Sequence, residues 1–316
     1  MRLPTYDKTP AELSAPVRGW SLFEGTLARE LLISGTGLHT GRKVSVRIFP
    51  RTGEGEDRGI LFRRLGSPTS SVSLDPHRKY WVLYPLCSTL RASDGTLFRT
   101  VEHLLASLLF CEIDHATVEL DGEEVPILDG SAQEWVQTLQ ACGRISLARP
   151  KRFLRIKEQH ACKYGTVCSY TVKPAETYRF TLANHDRGFG ISSWEGDMTP
   201  QAFAQKIAPA RSYGRITYGV AAMAAGYLLG KPLLRGANFS SVAAIFTNRG
   251  IGVTRFAAGV VRHRMLALCG DFAIAGAPVL GEFRIMQPSH RRNLRFMRHI
   301  VRQCPDIWEW AVFRNK

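Results

Sequence analysis

Apolar and polar positions alternate from Val44 through Ile48, with Ser45 and Arg47 set between Val44, Val46 and Ile48. That is the period of a half-buried strand. An extended segment opens before it at Leu31 to Ile33, and the glycine-dense run GTGLHTG (Gly35 to Gly41) predicts a tight turn between the two. Residues 51–59, RTGEGEDRG, form a charged loop. The period then changes. Val101, Leu104, Leu105 and Leu108 recur at helical spacing, which predicts a helix over Thr100 to Leu109 with Thr100 as its N-cap. A strand follows at Thr117 to Leu120, and Gly130-Ser131 opens a second helix over Ala132 to Ala141.

The second half alternates its periods in the same way. Strands are expected at Phe153–Ile156, near Thr166–Val172, at Tyr178–Leu182 and at Pro278–Met286. A helix begun by Thr199-Pro200 runs to Lys206, an apolar helix spans Val261–Cys269 and stops at Gly270, and a last helix spans Arg291–Cys304, closed by Pro305. Each half thus reads as strands plus two helices, which predicts an α+β fold of two domains, a duplicated α/β sandwich in which each β-sheet packs on two helices. The boundary is expected near Arg149-Pro150: residues 1–24 an N-terminal extension, 25–149 a first domain, 150–316 a second. No direct sequence repeat accompanies this order, so duplication rests on element order alone.

Composition narrows the classes. The 316 residues are 45% hydrophobic, which is ordinary for a globular chain. No apolar run approaches the ~20 residues that span a bilayer; the weakly polar stretch Val220–Leu229 is too short. The first twenty residues lack the continuous apolar core of a secretory signal. Seven cysteines, an odd number with no CxxC pair, predict reduced thiols in a cytosolic or matrix-like compartment and no structural Cys-type zinc site.

Charge is unevenly placed. Residues 1–150 hold 17 Lys+Arg against 18 Asp+Glu, a balance of −1; residues 151–316 hold 25 against 9, a balance of +16, so the second half carries the whole net charge of +15. Within it Arg291, Arg295, Arg298 and Arg302 follow 4-3-4 spacing on one face of the last expected helix, with Leu294, Met297, Ile300 and Val301 opposite. Such an arginine stripe suits phosphate, whose oxygens the planar guanidinium binds two at a time. It predicts an anionic partner, RNA or an acidic protein ahead of an acidic lipid surface, against the alternative of a merely solvated face.

Three segments offer chemistry. Glu102 and His103 are adjacent at a helix start, where an imidazole can hold a metal while a carboxylate takes a proton from metal-bound water. His263 lies on the apolar helix, but its same-face neighbours at i+3 and i+4 are Leu266 and Ala267, neither a metal ligand. His290 stands in an expected loop before the basic helix.

Together GTGLHTG, TVEHLLASL, VELDGEEVPILDGSA, ARSYG and VRHRMLALCGD resemble, in order and spacing, the UDP-3-O-acyl-N-acetylglucosamine deacetylases, zinc enzymes of lipid A synthesis, from about Gly25 to Val312. The resemblance implies an active-site cleft between the two domains. It implies zinc held by His103, by His263 and by an Asp four residues later, where this chain has Ala267. It further implies Glu102 as general base, His290 as general acid oriented by Asp271, and an oxyanion held by Arg264 and Ser212, which replace the family's Lys and Thr. The family's GGS-x-D segment is here Gly236-Ala237-Asn238-Phe239-Ser240, with Ser at the Asp position. Zinc in such a site lowers the pKa of bound water and polarises the amide carbonyl.

With two of three protein ligands, catalytic zinc loses its usual hold. The sequence therefore predicts a catalytically inactive homologue without a cofactor, reused as a structural or binding subunit in an RNA–protein assembly such as an organellar ribosome, in a mitochondrial or other organellar matrix. Two alternatives stand beside it: a divergent active zinc deacetylase of the bacterial cytoplasm acting on a UDP-sugar lipid, and a zinc-free binder of a nucleotide sugar or acyl chain.

Overall fold

A computed structural model describes residues 9–314 apart from 56–57, 75–80, 84–85, 187–189, 247–248 and 252–257. Six α-helices lie within these residues: α1 (Glu102–Phe110), α2 (Gln133–Cys142), the short α3 (Pro200–Ala202), α4 (Ile216–Leu228), α5 (Gly259–Ala273) and α6 (His290–Arg298). The strands build mainly two sheets, and the mixed α+β class expected from the alternating periods is what forms.

The first sheet runs Leu31–Thr36, Lys43–Pro50, Ala116–Leu120, Ile60–Arg64, Ser67–Ser73 in spatial order. Val46 faces Leu120 and Ile48 faces Val118 across the antiparallel pair. Val44, Val46 and Ile48 are buried, as their alternation requires. The second sheet has eight strands centred on Val279–Met286, which pairs with Arg152–Ile156, Cys168–Lys173 and Tyr178–Asp186. Its edge strand His160–Tyr164, absent from the sequence reading, forms a hairpin with Cys168–Lys173. At the other edge Ala11–Glu12 pairs in parallel with Ala311–Val312, and Leu13, Val17 and Trp20 enter the core. The polar lead thus joins the sheet that the end of the chain completes. Trp20 packs on Phe110 and Phe153, at 5.5 and 6.1 Å between ring centroids, so aromatic contacts connect it to both halves.

Where α1 and α5 cross, the two halves meet. The sequence places the end of α5 at Gly270, yet the helix continues to Ala273. Gly270 is a contact rather than a stop: a Cβ there would overlap the Glu102 carbonyl oxygen. The missing side chain lets the helix backbones approach closely. All nine residues of α1 are buried, so the one-sided stripe expected from its leucines is instead a helix enclosed all round. Thr100 does not cap it. Its φ is +55°, Val101 takes the cap position, and the Thr100 hydroxyl donates to Glu124 Oε1 at 2.7 Å. The buried Glu124 carboxylate also accepts from the His39 and Thr40 amides at 2.8 and 2.7 Å and from the Thr40 hydroxyl at 2.7 Å. It thereby ties the glycine turn to the start of α1 by charge-assisted bonds.

The last expected helix is also altered. α6 ends at Arg298, a wide π-helical turn covers His299–Gln303, and a 3-10 turn begins at Pro305. The extra residue per turn lets Ile300 and Val301 both bury. It also takes Arg302 off the regular helix, so only Arg291, Arg295 and Arg298 lie on α6 itself.

Candidate active site

The start of α1, the first half of α5 and the first residue of α6 converge on one cavity of about 410 Å³. Its floor contains Glu102, His103, Ser212, His263 and His290. The sequence placed these residues in separate segments, and the fold brings them together. Asp271 stands behind them, fully buried.

Two groups of polar residues can be separated. In the first, His290 Nδ1 donates to both Asp271 oxygens at 3.0 Å, and its Nε2 lies 3.7 Å from Glu102 Oε1. Asp271 is itself held by Asn293 Nδ2 at 2.6 Å and by the Ser88 hydroxyl. Ser88 also donates its amide to Glu102 Oε2 at 3.0 Å, and Asn293 accepts from the Tyr170 hydroxyl. Burial pushes the Glu102 carboxyl up to about 7, an effect that the positive His290 only partly offsets. Burial alone would lower His290, but Asp271 and then Glu102 outweigh it and raise the imidazole to about 9. The result is a carboxyl near its midpoint at neutral pH beside a protonated imidazole. A pair set this way can take up and release a proton.

The second group is His103 and His263, whose rings lie 5.5 Å apart between centroids. Burial lowers His103 to about 4 and His263 well below its ordinary value, so both are neutral at pH 7. His103 Nδ1 donates to the Ser131 carbonyl at 3.3 Å, which leaves Nε2 with the lone pair. His263 Nε2 meets the Ser212 hydroxyl at 3.1 Å, and its buried Nδ1 has no hydrogen-bond partner among the described residues. Gly130 positions Ser212 by accepting its amide; a Cβ at Gly130, whose φ is +83°, would strike the Ser241 carbonyl oxygen.

Two neutral imidazoles are the right chemistry for a metal but too few for catalytic zinc, which takes three protein ligands and a water. One turn along α5 from His263 is the buried methyl of Ala267. Asp271 is committed to His290, Asn293 and Ser88, and Glu102 to Ser88. The residues present therefore do not fit the family's catalytic zinc. Arg264 is not among the described residues lining the cavity. Its Nε donates to the Tyr213 hydroxyl at 2.7 Å and its Nη1 to the Pro288 carbonyl at 3.4 Å.

Ser88 and Asn293 escaped the sequence reading. Asn293 had a faint signal, three residues beyond His290 on a helix; Ser88, on a strand far from its partners in sequence, had none. The cavity's apolar wall was missed as well. It is formed by α4 through Ile216, Val220 and Met223, together with Leu38, Leu86 and Phe239. Tyr218, Val220 and Met223 are also exposed, at 68%, 62% and 44%, so α4 presents apolar surface both to the cavity and to solvent. Among the described residues no helix is long and apolar enough to cross a membrane.

Comparison with known proteins bears on this arrangement. A family model described as UDP-3-O-acyl N-acetylglycosamine deacetylase matches residues 24–302. The UDP-3-O-acyl-N-acetylglucosamine deacetylase of Geotalea uraniireducens is 30% identical over 302 residues, covering 93% of this chain and 94% of that protein. The protein of the same name from Vibrio cholerae is 32% identical over 298 residues, covering 92% and 93%, and that from Haemophilus influenzae is 29% identical over 298 residues with the same coverage.

Proposed function

Because the chain belongs to the UDP-3-O-acyl-N-acetylglucosamine deacetylase family, we propose that it keeps the family's ligand-binding cleft without the family's metal-dependent hydrolysis. Ala267 carries this reading: it sits one helical turn beyond His263, where the resemblance requires a carboxylate. The apolar wall of α4 and the polar floor suit a ligand with an acyl chain and a polar head. UDP-3-O-acyl-N-acetylglucosamine, named in its relatives, is such a ligand. The retained Glu102–His290 pair can exchange a proton with a bound head group, but no metal-activated water is available to attack an amide.

The test is metal content and acetate release of the purified chain beside its Ala267→Asp variant. The expected result is a wild-type protein that binds UDP-3-O-acyl-N-acetylglucosamine and releases no acetate, with a variant that gains zinc in the cavity. Chelator-sensitive acetate release by the wild type would overturn the proposal and restore the reading as an active deacetylase.

A second reading concerns the basic half. Arg291, Arg295 and Arg298 are exposed, and none forms an ion pair among the described residues. An unpaired cationic face of this kind favours a polyanion such as RNA bound through its backbone. The cleft and the arginine face do not exclude each other, and service as a subunit of an RNA–protein assembly rests on this face alone.

A further inference from the structure

Outside the lining of the cavity, the edge strand His160–Tyr164 turns alternate residues to one side. His160, Cys162 and Tyr164 are half-buried while Ala161 and Lys163 are exposed. Against that side packs the wide turn His299–Gln303, a form of helix that recurs where side chains are aimed for function. The His160 and His299 rings lie 4.9 Å apart between centroids. His299 is already oriented: its Nδ1 donates to Gln303 Oε1 at 2.6 Å, which puts the lone pair on Nε2. Metal-binding histidines are commonly held by a second-nitrogen bond of this kind. His160 Nε2 is 2.9 Å from His299 Nε2, and Cys304 Sγ is 3.4 Å from it. Donor atoms of His160, Cys162 and His299 all lie within 4.8 Å of one another, the only such trio of His, Cys, Asp and Glu donors among the described residues.

Around a tetrahedral ion with bonds of about 2.0–2.3 Å, neighbouring donors stand roughly 3.3–3.8 Å apart. The His160–His299 and His299–Cys304 separations of 2.9 and 3.4 Å stand on either side of the lower end of that range, so side-chain rotations would bring the trio onto an ion, with Cys304, beside His299 but outside the trio, turning in as the fourth donor. We propose that His160, Cys162, His299 and Cys304 form a structural site for one zinc-class ion, independent of the cavity. Two imidazoles and two thiolates are the donor set of closed tetrahedral zinc sites. The pairs are His-x-Cys on a strand and His-x4-Cys across the wide turn, so the site has no CxxC and was not expected from the cysteine spacing. An ion here staples the edge hairpin to the end of α6, whose first turn carries His290 and Asn293.

The test uses the full chain, kept reduced, stripped of metal and titrated with Co(II) as a spectroscopic substitute for zinc. The expected result is one equivalent bound with a thiolate-to-cobalt charge-transfer absorption, displaced by zinc. Cys162→Ser and His299→Gln each weaken binding by at least roughly tenfold, and Cys162→Ser combined with Cys304→Ser abolishes the absorption, whereas His263→Gln in the cavity leaves it intact. His160→Gln, at an accessible sheet edge, supplies the same comparison should Cys162→Ser fail to fold by circular dichroism. Three outcomes would overturn the proposal: no charge-transfer absorption in the wild type, absorption that survives the combined loss of Cys162 and Cys304, or a Cys162–Cys304 disulfide found by mass spectrometry in freshly isolated protein.

Discussion

His290 and the buried histidines give single residues a measurable effect on the whole protein. The native pKa of His290, about 9, lies above its ordinary 6.5. The folded state therefore holds the extra proton, and this stabilisation is complete below pH 6.5 and lost as pH rises toward 9. Glu102 acts in the same sense over a lower window, from 4.5 to about 7. His103 and His39, each lowered from 6.5 to about 4 chiefly by burial, act oppositely: their contribution is complete above pH 6.5 and lost as pH falls toward 4. Thermal unfolding across pH should therefore show a melting temperature that declines on both sides of a maximum near neutrality. His290→Asn should flatten the alkaline decline and leave the acid one; an unchanged alkaline slope would show that the Asp271–Glu102 environment does not hold the proton. At this scale the residues of the floor were legible because motif spacing names them. The partners that set their protonation, Ser88 and Asn293, were not, since a hydrogen bond spanning 183 residues, as from Ser88 to Asp271, leaves no local pattern.

Among the elements, the α1–α5 crossing and α4 make opposite demands. At the crossing, Gly270→Ala forces a methyl against the Glu102 carbonyl oxygen. Overpacking of this kind costs about 2–3 kcal/mol, and urea unfolding should read the loss as a lowered midpoint with an unchanged slope. If stability is instead preserved, the helices are not in close contact at Gly270. On α4 the demand is for ligand rather than for fold. Met223→Lys changes a side chain that lines the cavity yet is 44% exposed. Its expected effect on stability is within about 0.5 kcal/mol. Binding of the acyl ligand should weaken by about tenfold, the worth of a partly buried methionine; equal affinity in calorimetry would place the acyl chain elsewhere. Helical periodicity located α1 and α5 but misread their surroundings. A leucine stripe predicts one buried face, and only the second half of the chain, folded over α1, buries the other.

Over the whole molecule, charge asymmetry is the property that reaches furthest. An RNA-sized polyanion bound by the α6 face should dissociate as salt rises, because neutralised phosphates release their counterions. Reversing Arg291 and Arg295 to Glu should reduce the slope of log affinity against log salt by about two, roughly one for each phosphate that is no longer neutralised. Binding that ignores both salt and substitution would remove RNA as a partner. Strand and helix periods, the family motifs, the unequal charge of the halves and the replacement at Ala267 were all determined by the sequence alone, since each is a property of residue type and local spacing. Tertiary structure alone decided that Gly270 is a contact instead of an end, that Thr100 abandons its cap for Glu124, and that His160 and Cys162 face His299 across 139 and 137 intervening steps of chain. Those outcomes depend on which distant surfaces are buried against each other, and burial, unlike periodicity, is not written at any one place along the chain.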